Sequence, residues 1–370
     1  MEAAALARRV AAVATALAVT AGGLACGGQA DGTEPAQLAG VQLHPLWEGV
    51  TSREAVRELD VARRAGAGVV RIDIGWSSLE QNGKGRISPG YARRLDVFLR
   101  NARARRLKVI ATLHESPCWA SSAPSSLRRG CAGAWWDRGV NRYPPRLARD
   151  YADAAVYVAR RWGDELTALE VWNEPNKGDF LQSADPVIAY ARLVRATYAP
   201  VKRVAPRLTV LAGSMLLSDG DFLTELYRRG HIYGHYDAIS YHPYTDGRDP
   251  ALPENDGGRQ YSLIAGTSWL HDIMVSGGDE NGTLWATEAG ASTCAPGSHP
   301  GCVSEAEQAK QIGSYLRVAR AFPYLRAMVI YNLRDKGTNL ANIEDGYGIV
   351  HRDLSPKPAY REFKRAAAGR

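Results

Sequence analysis

The sequence predicts a closed (β/α)8 barrel of the TIM type, built as a single domain. Three observations point there. From residue 39 onward, short apolar runs alternate with helical patterns, eight times over. Most of the runs are rich in Val, Ile and Leu, as strands covered on both faces should be. No Gly-rich phosphate loop follows the first run, which weighs against the runner-up, an open doubly wound sheet. A chain of 370 residues with 45% hydrophobic content can form such a barrel as one domain.

The predicted strands are Gly40 to Leu43, Gly68 to Ile74, Lys108 to Leu113, Ala168 to Trp172, Thr209 to Ala212, Ala238 to Tyr241, Leu284 to Thr287 and Ala327 to Tyr331. Between the second and third, Ser88-Pro89 places an N-cap before a proline at the first helical position. Tyr91, Leu95, Phe98, Leu99 and Ala102 then recur at helical spacing. Tyr151, Ala155, Val158 and Trp162 repeat that pattern before the fourth strand. Two more helices are predicted over 303–324 and 356–368. The domain spans residues 39–370.

The first 30 residues stand apart. Arg8 and Arg9 precede an apolar stretch, Val10 to Thr20, which is shorter than the roughly 20 residues of a membrane span. This reads as a secretory signal. Once it is removed, no transmembrane candidate remains. Four of the five cysteines fall into two sequence-local pairs, Cys118 with Cys131 and Cys294 with Cys302, candidate disulfides in an exported chain. The fifth, Cys26, sits in Gly23-Leu24-Ala25-Cys26-Gly27, which resembles a bacterial lipoprotein cleavage site. Gly23 and Leu24 depart from that pattern, so both alternatives stand: a lipid-anchored surface protein, with Gln29 to Gln37 as a polar tether, or a freely secreted one. Membrane contact is expected only through lipid at Cys26. The net charge of +7 is interleaved with acidic residues, and no basic tract with interleaved aromatics tracks a nucleic acid. A weaker reading is that the charge favours an acidic polysaccharide.

In such a barrel, active sites lie at the C-terminal ends of the strands. Two carboxylates fall there: Glu174 in Val171-Trp172-Asn173-Glu174-Pro175-Asn176, and Glu288 in Trp285-Ala286-Thr287-Glu288-Ala289-Gly290. Both cysteine pairs fall in loops on the same face. Paired carboxylates at strand tips are what retaining glycoside hydrolysis requires: one acid protonates the leaving oxygen while the other carboxylate attacks the sugar. A general acid must hold a proton near working pH while the nucleophile stays ionised.

With these motifs the chain resembles a clan A glycoside hydrolase over residues 39–365. It is most similar to family 39 and its exopolysaccharide-hydrolase relatives, with family 5 the next neighbour. The resemblance implies Glu174 as acid/base and Glu288 as nucleophile. It implies Asn173 as the amide on the sugar 2-hydroxyl and Arg71 as the cation beside the nucleophile. His242 and Tyr244 match a His-x-Tyr pair whose tyrosine bonds the nucleophile, and His114 stands where some relatives bind substrate. Where family 5 members usually carry a tryptophan at the end of the eighth strand, this chain has Tyr331. The run Tyr331-Asn332-Leu333-Arg334-Asp335, with Gly346-Tyr347-Gly348 and Lys357-Pro358 behind it, looks more like the family 39 group.

Several residues have plainer readings. Arg71 can pair with Asp73 on the same strand face. Glu170 and Asp73, inside strands, are expected as core ion-pair partners. His114 and His44 can equally be structural histidines, and His44 stays outside the catalytic set. Trp119, Trp135 and Trp136 lie in the long loop after the third strand and are expected as sugar-stacking platforms. The expected protein is a monomeric glycosidase acting on a polysaccharide or oligosaccharide without cofactor or metal. A carbohydrate-binding protein that has lost turnover, or a transglycosylase, are the alternatives on the same fold.

Overall fold

The computed structural model describes residues 37–253 and 257–369. The predicted leader, the tether and Cys26 lie outside them. Eight parallel strands close into a barrel in sequence order: β1 Leu38–Gln42, β2 Val69–Gly75, β3 Lys108–His114, β4 Ala168–Val171, β5 Thr209–Leu216, β6 Ala238–His242, β7 Leu284–Ala289 and β8 Leu325–Ile330. β8 pairs back onto β1, with Gly40 opposite Val329. Every strand lies where the sequence predicts it, with ends shifted by up to four residues. The largest shift is at β5, whose pairing runs on through an irregularity between Gly213 and Met215.

The crossover helices are α1 Ser52–Arg64, α2 Pro89–Ala104, α3 Ala148–Trp162, α4 Pro186–Val204, α5 Gly220–Arg228, α6 Leu263–Ser276, α7 Glu305–Ala319 and α8 Pro358–Ala367. Ser88 caps α2 by accepting from the Tyr91 amide, as its sequence implies. The two helices predicted at the C-terminal end are shorter than expected, because Ser304 caps α7 and the chain turns after Ala319. None of the described helices is long and apolar enough to cross a membrane.

Inside the barrel the side chains form layers. Near the N-terminal ends, Val69, Ile110, Ala168, Leu211, Ala238 and Trp285 pack into an apolar plug separate from the shell between sheet and helices. Two residues further along five of these six strands the interior turns polar. Arg71, Thr112, Glu170, Ser240 and Thr287 are all fully buried there. That switch follows from the strand period of two: the same inward positions carry apolar residues below and hydrogen-bonding residues above.

Disulfides join Cys118 to Cys131 and Cys294 to Cys302, as the spacing implies. The first ties the loop after β3 around a small core of its own, in which Cys118, Ala123, Trp135 and Val140 pack together. Breaking this bridge with Cys118→Ala and Cys131→Ala should lower stability by about 3 kcal/mol, the entropy of an opened loop of this length. Urea denaturation against the parent checks this, and an unchanged midpoint would show the loop is already held by its packing.

Candidate active site

The polar layer is organised by Arg71. Its guanidinium is fully buried and each of its nitrogens is engaged. Nε donates to Glu170 at 2.8 Å, Nη1 to Gln42 at 3.1 Å and to Glu288 at 2.5 Å, and Nη2 to Asn173 at 2.8 Å. Glu170 also accepts from Thr112 and Thr287. Burial opposes its charge, but Arg71 first, then His242 and the hydroxyls, hold its carboxyl below the ordinary carboxylate range. Glu170 is thus the core ion-pair partner the sequence implies. The pair is a buried foundation with both carboxylate oxygens hydrogen-bonded, which is how a charge is tolerated there.

Glu288 reaches the cleft through a strand irregularity. β7 carries one extra residue against β8 between Ala286 and Ala289. The bulge lets Thr287 point inward to Glu170 while Glu288, the next residue, also faces the barrel mouth. The Tyr244 hydroxyl donates to the second Glu288 oxygen at 2.8 Å. Burial, and then the Glu288 charge, raise the Tyr244 phenol well above its usual value, so it stays a donor. Gly290 closes the motif because a Cβ there would collide with the Tyr331 carbonyl just past the end of β8.

Glu174 arrives by a tight turn at the end of β4. Trp172 and Glu174 both hold positive φ, 66° and 43°, a region non-glycine residues rarely adopt. The turn is pinned by the Glu174 amide donating to Ser214 O at 2.8 Å and by the Trp172 indole donating to Phe180 O at 3.1 Å. Asn173 has to present its oxygen to Arg71, which can only donate. Its amide nitrogen is therefore the group left for the cleft, which Asn173 lines.

His242, at the end of β6, bridges the two carboxylates. Its Nδ1 lies 2.9 Å from Glu174 and 3.8 Å from Glu288, and its Nε2 lies 3.3 Å from the Ser214 hydroxyl. Glu174, His242 and Glu288 each bring one donor atom within 4.8 Å of the others. These three could hold a metal by geometry. However, the Arg71 guanidinium already sits against Glu288, and a second cation there would be repelled. Burial pushes the His242 pKa down, but the charge of Glu288, and the hydrogen bond and charge of Glu174, raise it above the usual histidine value. A raised folded value adds stability that is fully present below the unfolded value of 6.5 and is lost as pH climbs through the folded one. The stability advantage of the parent over His242→Gln should therefore shrink as pH rises above 6.5. Denaturant titrations at several pH values read this directly; a difference constant with pH would contradict it.

These groups open into one cleft of about 900 Å³ at the C-terminal mouth of the barrel. Of the residues expected from sequence, Asn173, Glu174, Glu288, His114, Tyr244 and Tyr331 line it, and Arg71 and His242 lie just beneath. Tyr331 stands edge-on to Tyr244 and Tyr347, so three phenols wall the side that the absent tryptophan would occupy. The three loop tryptophans lie elsewhere. Trp135 is buried in the disulfide loop's own core, because short helical turns let that loop pack on itself. Trp119 donates to Glu80 O at 2.7 Å and packs edge-on to Trp76. Trp136 is exposed but does not line the cleft. The tryptophan that does line the cleft is Trp47, stacked on His44 in the loop after β1, which no motif in the sequence singles out. Asp73 also lines the cleft, so it is only in part the core partner expected; its contact with Arg71 is long, at 3.9 Å.

Comparison with known proteins agrees with this geometry. The family model described as Cellulase (glycosyl hydrolase family 5) matches residues 29–316. A probable glucan 1,3-beta-glucosidase A of Emericella nidulans is 31% identical over 188 residues, 50% of this chain and 42% of that protein. The chain thus spans well under half the length of that curated relative. Among solved structures, a family 39 glycoside hydrolase from Bacteroides cellulosilyticus WH2 superposes with a TM-score of 0.71 at 22% identity. The match covers 90% of this chain and 64% of that one. A GH5_18 protein from Streptomyces cattleya in complex with Manb1-4GlcNAc gives 0.65 at 16% identity, over 90% and 80% of the two chains. Both likenesses bear on the fold. Families 39 and 5, the two the motifs resemble, are both represented.

Proposed function

The chain belongs to the cellulase family, glycosyl hydrolase family 5, and from that premise we propose that it hydrolyses a β-linked oligosaccharide or polysaccharide with retention of configuration. The observation that supports the mechanism is the closeness of Glu174 and Glu288, each of which brings one oxygen within 4.8 Å of the other's across the same histidine nitrogen, an arrangement that favours the closer of two known spacings. Inverting enzymes hold their carboxyls about 6.5–9.5 Å apart to admit a water, whereas retaining ones close to about 5–5.5 Å so that one carboxylate attacks the sugar itself. The environments support the division of labour. Glu288 accepts from Arg71 and Tyr244, which fix its two oxygens at the cleft floor, and so takes the nucleophile's part. Glu174 shares a hydrogen bond with His242, which meets the carboxylate left behind when Glu174 delivers its proton to the leaving oxygen. Once Glu288 is esterified, Glu174 takes a proton from the water that breaks the ester. Asn173 contributes an amide to the sugar hydroxyl nearest the reacting carbon.

The β-linked substrate class is supported by the relatives, whose names and contents are a β-glucosidase and a β-mannosyl disaccharide complex. The two disulfides support the further reading that the protein works outside the cytoplasm, anchored or free. A panel of aryl β-glycosides spanning gluco, manno, galacto and xylo configurations tests the activity. Turnover of at least one member is expected, and binding of oligosaccharides without turnover of any would favour a carbohydrate-binding role instead.

A further inference from the structure

The wall of the cleft formed by β1 to β3 carries a carboxylate that the mechanism above does not use. Asp73 lies two residues beyond Arg71 on the same face of β2, with its side chain 14% exposed to the cleft. One of its oxygens, Oδ2, is clamped: Gln42 Nε2 donates to it at 3.2 Å and His44 Nδ1 at 3.1 Å. The His44 ring is held in turn by Trp47, stacked on it at 3.8 Å. The other oxygen, Oδ1, takes no hydrogen bond among the described residues. Its cationic neighbour, Arg71 Nη1, is 3.9 Å away and already donates to Gln42 and Glu288. Asp73 and Glu288 therefore flank the same guanidinium nitrogen, with Oδ1 the unfilled acceptor beside the reacting carboxylate.

Resting on the proposed function, we propose that Asp73 is a specificity-determining residue that accepts a hydroxyl of the sugar attacked by Glu288 and excludes a sugar bearing a carboxylate at that place. Burial opposes the charge of Asp73, but the His44 hydrogen bond and charge, then Arg71 and His114, hold its carboxyl well below the usual range. An ionised carboxylate can only accept, so the group that completes it must be a donor, as a sugar hydroxyl is. A uronic acid would set anion against anion. Beyond the histidines, the lining is dominated by further carboxylates, Glu48, Glu115 and Asp246 among them. Of its lysines, Lys336 is held by Glu344 at 2.8 Å and Lys177 lies 3.8 Å from Asp179. The chain's net charge of +7 therefore does not describe its cleft, and the weaker expectation of an acidic polysaccharide gives way to an uncharged or amine-bearing one.

The test uses the full chain and the aryl β-glycoside it hydrolyses best, together with that glycoside deoxygenated at one hydroxyl at a time and its uronide counterpart. For the parent enzyme, one deoxy position should lower kcat/KM on the order of 100-fold, the effect of a lost hydrogen bond to a charged acceptor. Asp73→Ala should lose a similar factor on the full glycoside and lose almost nothing more on that deoxy analogue. Asp73→Asn should narrow the parent's preference for the uncharged sugar over the uronide by roughly tenfold or more. Thermal unfolding of both variants separates a folding defect from a specificity one, and the deoxy series on the parent needs no variant. Wild-type kcat/KM in Asp73→Ala, equal deoxy penalties with and without Asp73, or ready uronide hydrolysis by the parent would each overturn the inference while leaving the double displacement intact. No turnover of any glycoside by the parent would overturn the proposed function and this inference together.

Discussion

Glu288→Gln should fall to background turnover, a loss of at least about 10⁴-fold in kcat or roughly 5 kcal/mol of barrier, while folding and oligosaccharide binding stay nearly unchanged. The carboxamide keeps the shape of the side chain: its oxygen can still accept from Arg71, and its amide nitrogen can donate to the Tyr244 hydroxyl that donated to the second carboxylate oxygen. What it cannot do is form a glycosyl ester at a useful rate. One complication follows from the buried layer. Removing the charge of Glu288 leaves Arg71 with Glu170 as its close anionic partner, at 2.7 Å, which is enough to keep the guanidinium paired. Thermal unfolding of the variant should therefore sit near that of the parent. Full activity in this variant would remove Glu288 from the reaction and leave carbohydrate binding as the better account of the cleft.

Glu174→Ala should behave differently, and the difference identifies the role. A substrate with a poor leaving group needs a proton from Glu174 and should slow by about 10²- to 10⁴-fold. An activated aryl glycoside needs little protonation, so it should still form the intermediate and then stall, giving a burst followed by slow turnover. Azide, which attacks without a general base, should restore the second step and yield a glycosyl azide of the substrate's own anomeric configuration. Retained azide product from a rescued Glu288 variant, with inverted product from Glu174→Ala, would exchange the two assignments.

Much of this site is legible in the amino-acid sequence. The eight strands show because each is a short apolar run between amphipathic helices, and the period-two alternation of β2 already sets Arg71 and Asp73 on one face. Glu174 and Glu288 show because each closes a strand within a motif of Trp, Asn, Pro or Gly whose geometry needs those residues. What the sequence hides depends on strand offsets around a closed barrel. Asp73 reads as a core partner because nothing along the chain tells how far up the barrel β2 carries it, or that Gln42 of β1 and His44 in the loop after it would clamp one of its oxygens. The bulge that turns Glu288 inward beside Thr287 is likewise a property of the β7–β8 register. The tryptophans mislead for the opposite reason: a loop of this length folds into helical turns around its own disulfide and buries Trp135 locally. Trp47, close behind His44 in the loop after β1, carries no periodic signal, yet it is the tryptophan among the cleft residues. Composition, too, describes the whole surface rather than the cleft, which is why a net positive chain can present an acidic one.

The central claim is that Glu288 becomes covalently bonded to the sugar. The measurement that tests it most directly is mass spectrometry of the protein after incubation with an activated 2-deoxy-2-fluoro glycoside of the preferred sugar, which slows both steps but the second more. The account predicts a stoichiometric mass increase of one fluorosugar, located on the peptide that carries Glu288 and absent from Glu288→Gln. A label on Glu174 or on any other residue, or turnover of the parent glycoside with inverted product and no label at all, would contradict it.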